Sequence, residues 1–126
     1  MAKINVKIKD LYPFEDSGVV TKITRRAKQI EKGEAKPIKV LRIDDDLLVV
    51  EGNNRVAAVK GLGWTEIDAV EIMKREQEMR PYKDALETAK AKGWKGFENW
   101  PVDGGLTERS ARYGDTVPSS MQVRRL

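Results

Sequence analysis

The pentapeptide Glu51-Gly52-Asn53-Asn54-Arg55 is where residue types and spacing come nearest to chemistry. A glycine between the end of a strand and the start of a helix lets the backbone come close to a ligand. The helix start offers unpaired N–H groups and the positive end of a dipole, which together suit phosphate. Arg55, in the first helical turn, can place two parallel donors on a pair of phosphate oxygens. The amides of Asn53 and Asn54 are further donors, and either side chain can instead cap the helix. Glu51, at the strand end, can accept a proton or hold Mg²⁺ through its carboxylate. The competing reading is an ordinary capped helix with a solvated arginine, and the GxxxxGK[ST] phosphate loop is absent.

Composition narrows the chemistry further. The 126 residues contain neither cysteine nor histidine. That excludes a disulfide framework, a thiol nucleophile, a Ser-His-Asp triad and a His or Cys ligand set for zinc. What remains is carboxylates, Lys, Arg, Tyr, hydroxyls, backbone amides and oxygen-bound hard cations. The 24 basic and 20 acidic side chains leave a net charge of +4, unevenly spread. Residues 1–33 carry eight basic and four acidic groups, Arg25 and Arg26 among them, whereas residues 34–72 carry five and eight. A basic face of that size is compatible with phosphate or nucleic acid and equally with a solvated surface. There is no signal-peptide pattern and no apolar run of membrane-spanning length, so a cytoplasmic protein with no membrane partner is expected.

The elements that must position the corner follow from periodicity. Residues 3–9 alternate apolar and polar, the pattern of a half-buried strand. Residues 10–18 read as a loop holding Pro13, Glu15 and Asp16. Val20, Ile23, Ala27 and Ile30 recur at helical spacing, predicting a helix over 20–32 that Gly33 ends. Pro37 opens a strand over Ile38–Ile43, three aspartates turn the chain, and 47–50 returns antiparallel. The acidic turn lacks the spacing of an EF-hand loop and reads as solvated. A short helix from the corner closes at Gly61 and Gly63, and 64–72 supplies a last strand. A charged helix over 74–80, broken by Pro81, precedes a second helix over 82–92. Trp94, Phe97 and Trp100 are expected to cap the core rather than stack bases. Residues 101–126, rich in turn formers, read as a flexible tail or one draped over a protein partner, after a domain spanning 1–100.

In this order, the stretch 8–72 resembles the ParB/sulfiredoxin superfamily domain. The resemblance rests on four features: a strand leading into a Pro-containing loop, a helix ending Ile30-Glu31-Lys32-Gly33, a Pro37-Ile38-Lys39-Val40 strand, and a hairpin entering Gly-x-x-Arg and a small-residue helix. It implies an α+β fold, a small mixed sheet with short helices packed on it. It also implies what the corner does. In sulfiredoxins the corner carries a catalytic cysteine; Asn53 stands there, which excludes that reductase activity. In partition ParB proteins it reads Gly-Glu-Arg-Arg and contacts the phosphates of CTP and Mg²⁺; only Gly52 and Arg55 match. In free-serine kinases it resembles Asp-Gly-His-His-Arg, so Glu51 keeps the acid and two asparagines replace histidines that could shuttle protons. Those kinases also use a carboxylate after the first strand, where Glu15 and Asp16 lie. Lys36, before the Pro37 strand, either neutralises phosphate or is a surface lysine.

The expected function is binding of a nucleoside di- or triphosphate at Gly52, Asn53, Asn54, Arg55 and Lys36. With Mg²⁺, hydrolysis or phosphoryl transfer would use Glu51 as base or metal ligand and Glu15 or Asp16 as a second carboxylate. The alternatives are a non-catalytic DNA- or RNA-binding accessory protein, supported by the basic N-terminal third and Arg124 and Arg125, or a structural domain with a docking tail.

Overall fold

A computed structural model describes residues 3–103. Five strands form one mixed sheet: β1 (Lys3–Lys7), β2 (Leu11–Pro13), β4 (Ile38–Ile43), β5 (Asp46–Glu51) and β6 (Glu66–Ile72), in the order β1-β6-β4-β5-β2. β4 and β5 are the antiparallel hairpin expected around the three aspartates, with Asp44 at positive φ in the turn. β6 lies parallel to β4 and antiparallel to β1. The architecture is α+β, as the order of elements implies.

The helices are α1 (Val20–Glu31), α2 (Asn53–Gly61) and α3 (Arg80–Lys92). α1 buries Ile23, Ala27 and Ile30, the face set by their three- and four-residue spacing, and packs against α2. Each isoleucine removed from water contributes roughly 1.5–3 kcal/mol. α2 is lined by Val56, Ala57, Ala58 and Val59, all buried, so two of its sides face protein. Its small alanines let α1 and the sheet approach closely.

Several expectations are corrected. The loop over 10–18 contains β2, parallel to β5, and a two-residue strand β3 (Gly18–Val19). β2 is too short to alternate, and Pro13 disguises it; it is a strand because the open edge of β5 offers partners. The strand expected over 3–9 stops at Lys7, and Ile8 begins a 3₁₀ turn. Only a 3₁₀ turn at Glu76–Glu78 forms in the charged stretch 74–80. Pro81 does not break a helix but sits in the first turn of α3, where its missing N–H costs nothing. β6 is not the last strand: β7 (Val102–Asp103) pairs in parallel with β3. The rest of the expected tail lies outside the described residues.

Trp94, Phe97 and Trp100 are each at most 6% exposed, and Phe97 meets Trp100 edge to face at 5.0 Å. They cap the core. Among the described residues, no helix is long and apolar enough to cross a membrane.

Candidate functional site

The β5–α2 junction turns on Gly52, which takes φ +101° and occupies the N-cap position of α2. A Cβ there would stand 2.7 Å from Cγ2 of Ile38, which is fully buried, so only glycine fits this corner. The first α-helical bond runs from the Val56 N–H to the Gly52 carbonyl at 2.9 Å. No side chain caps α2. The leading N–H groups of the helix therefore have neither an intrahelical acceptor nor a capping side chain.

The asparagines do something other than capping. Asn53 is 2% exposed; its Oδ1 accepts from the Phe14 N–H at 3.0 Å and its Nδ2 donates to the Val49 carbonyl at 3.0 Å. Asn54 accepts from the Val19 N–H at 3.0 Å. Both side chains tether the corner to the segment between β2 and α1, which lies 35 to 39 residues away in sequence. The Asn53 amide is engaged by the fold at both ends, whereas Asn54 is engaged through Oδ1, and both residues line the cleft.

The tethered segment carries the rest of the site. A cleft of about 230 Å³ opens between α1 and the start of α2. Residues 52–55 form one wall, Lys22, Arg25 and Arg26 of α1 the other, and Glu15 the rim. The segment is held from behind as well, because Trp100 Nε1 donates to the Glu15 carbonyl at 2.8 Å and the Gly18 N–H donates to the Pro101 carbonyl at 2.8 Å.

Arg55 is half-buried, and its Nη1 donates to the Lys36 and Pro37 carbonyls at 3.3 and 3.1 Å. Burial, then the neighbouring Arg26, push its guanidinium below the ordinary value, while Glu51 pulls the other way. An arginine so lowered is still charged at neutral pH. Two guanidinium groups thus repel each other beside uncapped N–H groups, and an anion between them relieves that repulsion.

The remaining expected residues fall elsewhere. Glu51 is exposed and pairs with Lys39 of the neighbouring strand at 3.2 Å, one of several cross-strand ion pairs, and is not part of the cleft lining. Lys36 contributes its carbonyl oxygen to Arg55, and its exposed ammonium does not line the cleft. Asp16 is exposed outside the lining, whereas Glu15 is part of it. Lys22, Arg25 and Arg26 join the site without having been assigned to it from the sequence. Their i, i+3, i+4 spacing, opposite the buried Ile23 and Ala27, was the available signal.

No protein-family model matches the sequence, and no curated protein matches it significantly. Solved structures do. Sulfiredoxin from Arabidopsis thaliana superposes with a TM-score of 0.56 over 68% of this chain and 98% of its own, at 16% identity. The fold is sulfiredoxin-like. A free serine kinase in complex with AMP shares it, with a TM-score of 0.51 at 18% identity, over 56% of this chain. This chain spans 30% of that kinase. The helix ended by Gly33, the Pro37 strand, the hairpin and the glycine corner expected over 8–72 occur in that order.

Among the described residues, no three acidic side chains cluster so as to hold a metal ion. With Glu15 as the one carboxylate in the lining, the donor set fits Mg²⁺ only as a guest of phosphate. Such an ion is held mainly by phosphate oxygens and water.

The like-charged pair makes a prediction of opposite signs. Arg26→Gln should leave the melting temperature of the ligand-free protein unchanged or higher, since it removes repulsion at the cost of one part-buried bond to Gln29 within the same helix. The same change should weaken phosphate binding by roughly tenfold, as loss of one charge-assisted contact does. Thermal melts with and without phosphate read both; a lower ligand-free melting temperature with unchanged affinity would place Arg26 in the fold and not in the site.

Proposed function

We propose that the chain binds the phosphate chain of a nucleotide in the cleft between α1 and the start of α2. The observation that carries this reading is the convergence of Lys22, Arg25, Arg26 and Arg55 on a helix start that no side chain caps. The free serine kinase of the same fold, solved with AMP, supports it. Phosphate fits the chemistry, being an acceptor-only ligand met by donors.

Phosphoryl transfer or hydrolysis is the further step of the same proposal. The cations stabilise charge on the phosphoryl group, which is most of what such a reaction asks of a protein. Glu15 replaces Glu51 as the carboxylate for proton acceptance or for a phosphate-bound Mg²⁺, because Glu15 lines the cleft and Glu51 is paired with Lys39.

Calorimetric titration with ATP, GTP, CTP and ADP, with and without Mg²⁺, tests the reading. Binding is expected, with a loss of roughly tenfold or more in Arg55→Ala. Because Arg55 also ties α2 to the Lys36 and Pro37 carbonyls, Arg25→Gln serves as the companion variant. Absence of binding by every nucleotide, or wild-type affinity in both variants, removes the proposal.

A second reading keeps the cations and changes the ligand. α1 continues past the cleft with Lys28, and Lys32 follows at its C-cap, so basic residues continue to the end of the helix. Nucleic-acid binding predicts affinity that falls steeply with salt, by orders of magnitude over a few-fold rise in concentration. Anisotropy with labelled single- and double-stranded DNA and RNA at low salt decides it.

A further inference from the structure

We propose that the cleft recognises its ligand by the phosphate chain alone and is indifferent to the base. The inference rests on the phosphate-binding reading above and adds the ligand class: a chain of two or more linked phosphates, whether it ends in any nucleoside or in none.

Three observations lead there. The first is what lines the cleft. Its side chains are Glu15, Lys22, Arg25, Arg26, Arg55 and the two asparagines, with no aromatic ring among them. The nearby rings are committed elsewhere. Phe14 packs on Tyr82 at 5.1 Å, and Trp100 is buried behind the segment, bonded to the Glu15 carbonyl. Trp64, the exposed ring, follows the far end of α2, a nine-residue helix about 14 Å long. Among the described residues, no aromatic ring lines the cleft.

The second is the direction of the hydrogen bonds. A base edge presents both donors and acceptors and is read by groups of both kinds. The neutral acceptors at this corner, Asn53 Oδ1 and Asn54 Oδ1, already accept from Phe14 and Val19. The side chains that remain are three cations from one helix face and Arg55, all donors, with the Glu15 carboxylate at the rim. A donor surface of that kind matches a ligand that only accepts.

The third is size. At about 230 Å³ the cleft is smaller than the roughly 300–1,000 Å³ that encloses a whole drug-sized ligand. It has room for phosphates, and the nucleoside is left in solvent. Several cations, spread over one turn of α1 and the start of α2, suit successive phosphates of one chain.

Calorimetry on the full chain, at one fixed ionic strength, tests this with ATP, GTP, CTP, inorganic tripolyphosphate and orthophosphate. The three nucleotides and tripolyphosphate are expected to agree within about fivefold, since a stacked base would separate them by more. Orthophosphate should bind at least roughly tenfold more weakly than tripolyphosphate, having fewer charges to place. Arg25→Gln should weaken the nucleotides and tripolyphosphate by the same factor. A nucleotide that binds more than about fivefold tighter than tripolyphosphate, or than another nucleotide, overturns base indifference while leaving phosphate binding in place. No binding by any of the compounds removes the phosphate-binding reading and this inference with it. Long-chain polyphosphate is also set in competition against ATP. Displacement is expected from one shared site, and failure to displace overturns the proposal.

Discussion

Gly52→Ala is expected to lower stability by about 2–5 kcal/mol, through two separable causes. A non-glycine residue in the left-handed region costs about 1–2 kcal/mol. The new methyl also enters the space of Ile38 Cγ2, 2.7 Å away on a fully buried side chain, and overpacking of that kind adds roughly 1–3 kcal/mol. For a domain whose whole stability is about 5–15 kcal/mol, this is a large fraction, visible as a fall of 10 °C or more in melting temperature. Gly33→Ala is the control. Gly33 also has positive φ, +82°, but no atom lies within 4 Å of its would-be Cβ. It should show the backbone cost without the clash. Equal losses in the two variants would mean that the β5–α2 corner relaxes away from Ile38, and the tight corner would then be no constraint on the cleft.

Asn53→Leu is expected to cost about as much, by a different route. The side chain is nearly isosteric, but it leaves the Phe14 N–H and the Val49 carbonyl without their partners in the interior. Each orphaned group costs roughly 1–3 kcal/mol. Asn54→Ala, which frees the Val19 N–H at a half-buried position, should cost less. Amide hydrogen exchange gives the sharper readout. The Phe14 amide should lose protection in Asn53→Leu, and the Val19 amide in Asn54→Ala, each ahead of its neighbours. Phosphate binding should weaken in both, because the segment carrying Glu15 and leading into α1 is what these bonds hold. A Phe14 amide that stays protected would show that the tether is dispensable.

These two residues also show where a sequence is legible and where it stops being so. α1 and the β4–β5 hairpin follow closely from their apolar spacing, Gly33 and the aspartate turn, since each is specified by neighbours in sequence. The asparagines were readable as phosphate donors or as caps, the uses that neighbours in sequence suggest for that residue type. Their actual partners are 35 to 39 residues away in sequence, and no spacing rule reaches that far. β2, β3 and β7 fail for a related reason. Two or three residues hold no period, and each is a strand only because another segment arrives beside it. The site divides the same way. Gly52 and Arg55 were visible in the corner, and the 22, 25, 26 spacing placed three cations on one face, but that this face looks at the start of α2 is a fact of helix packing. Glu51 is adjacent in sequence to the corner, while in space it faces Lys39 across the hairpin, a pairing that no local pattern announces.

The β3–β7 pairing has a consequence in time. The segment that brings Glu15 to the rim of the cleft lies within the first 20 residues, yet its rear supports, Trp100, Pro101 and the β7 strand, are the last described parts of the chain. Chains emerge from the ribosome at about 5–20 residues per second, N-terminus first. The sheet can assemble once β6 has appeared, through a hairpin and three longer-range pairings, but the segment carrying Glu15 is clamped only after residue 103 has followed it. During synthesis, therefore, the segment carrying Glu15 is fixed in place only after the sheet beside it has its strands.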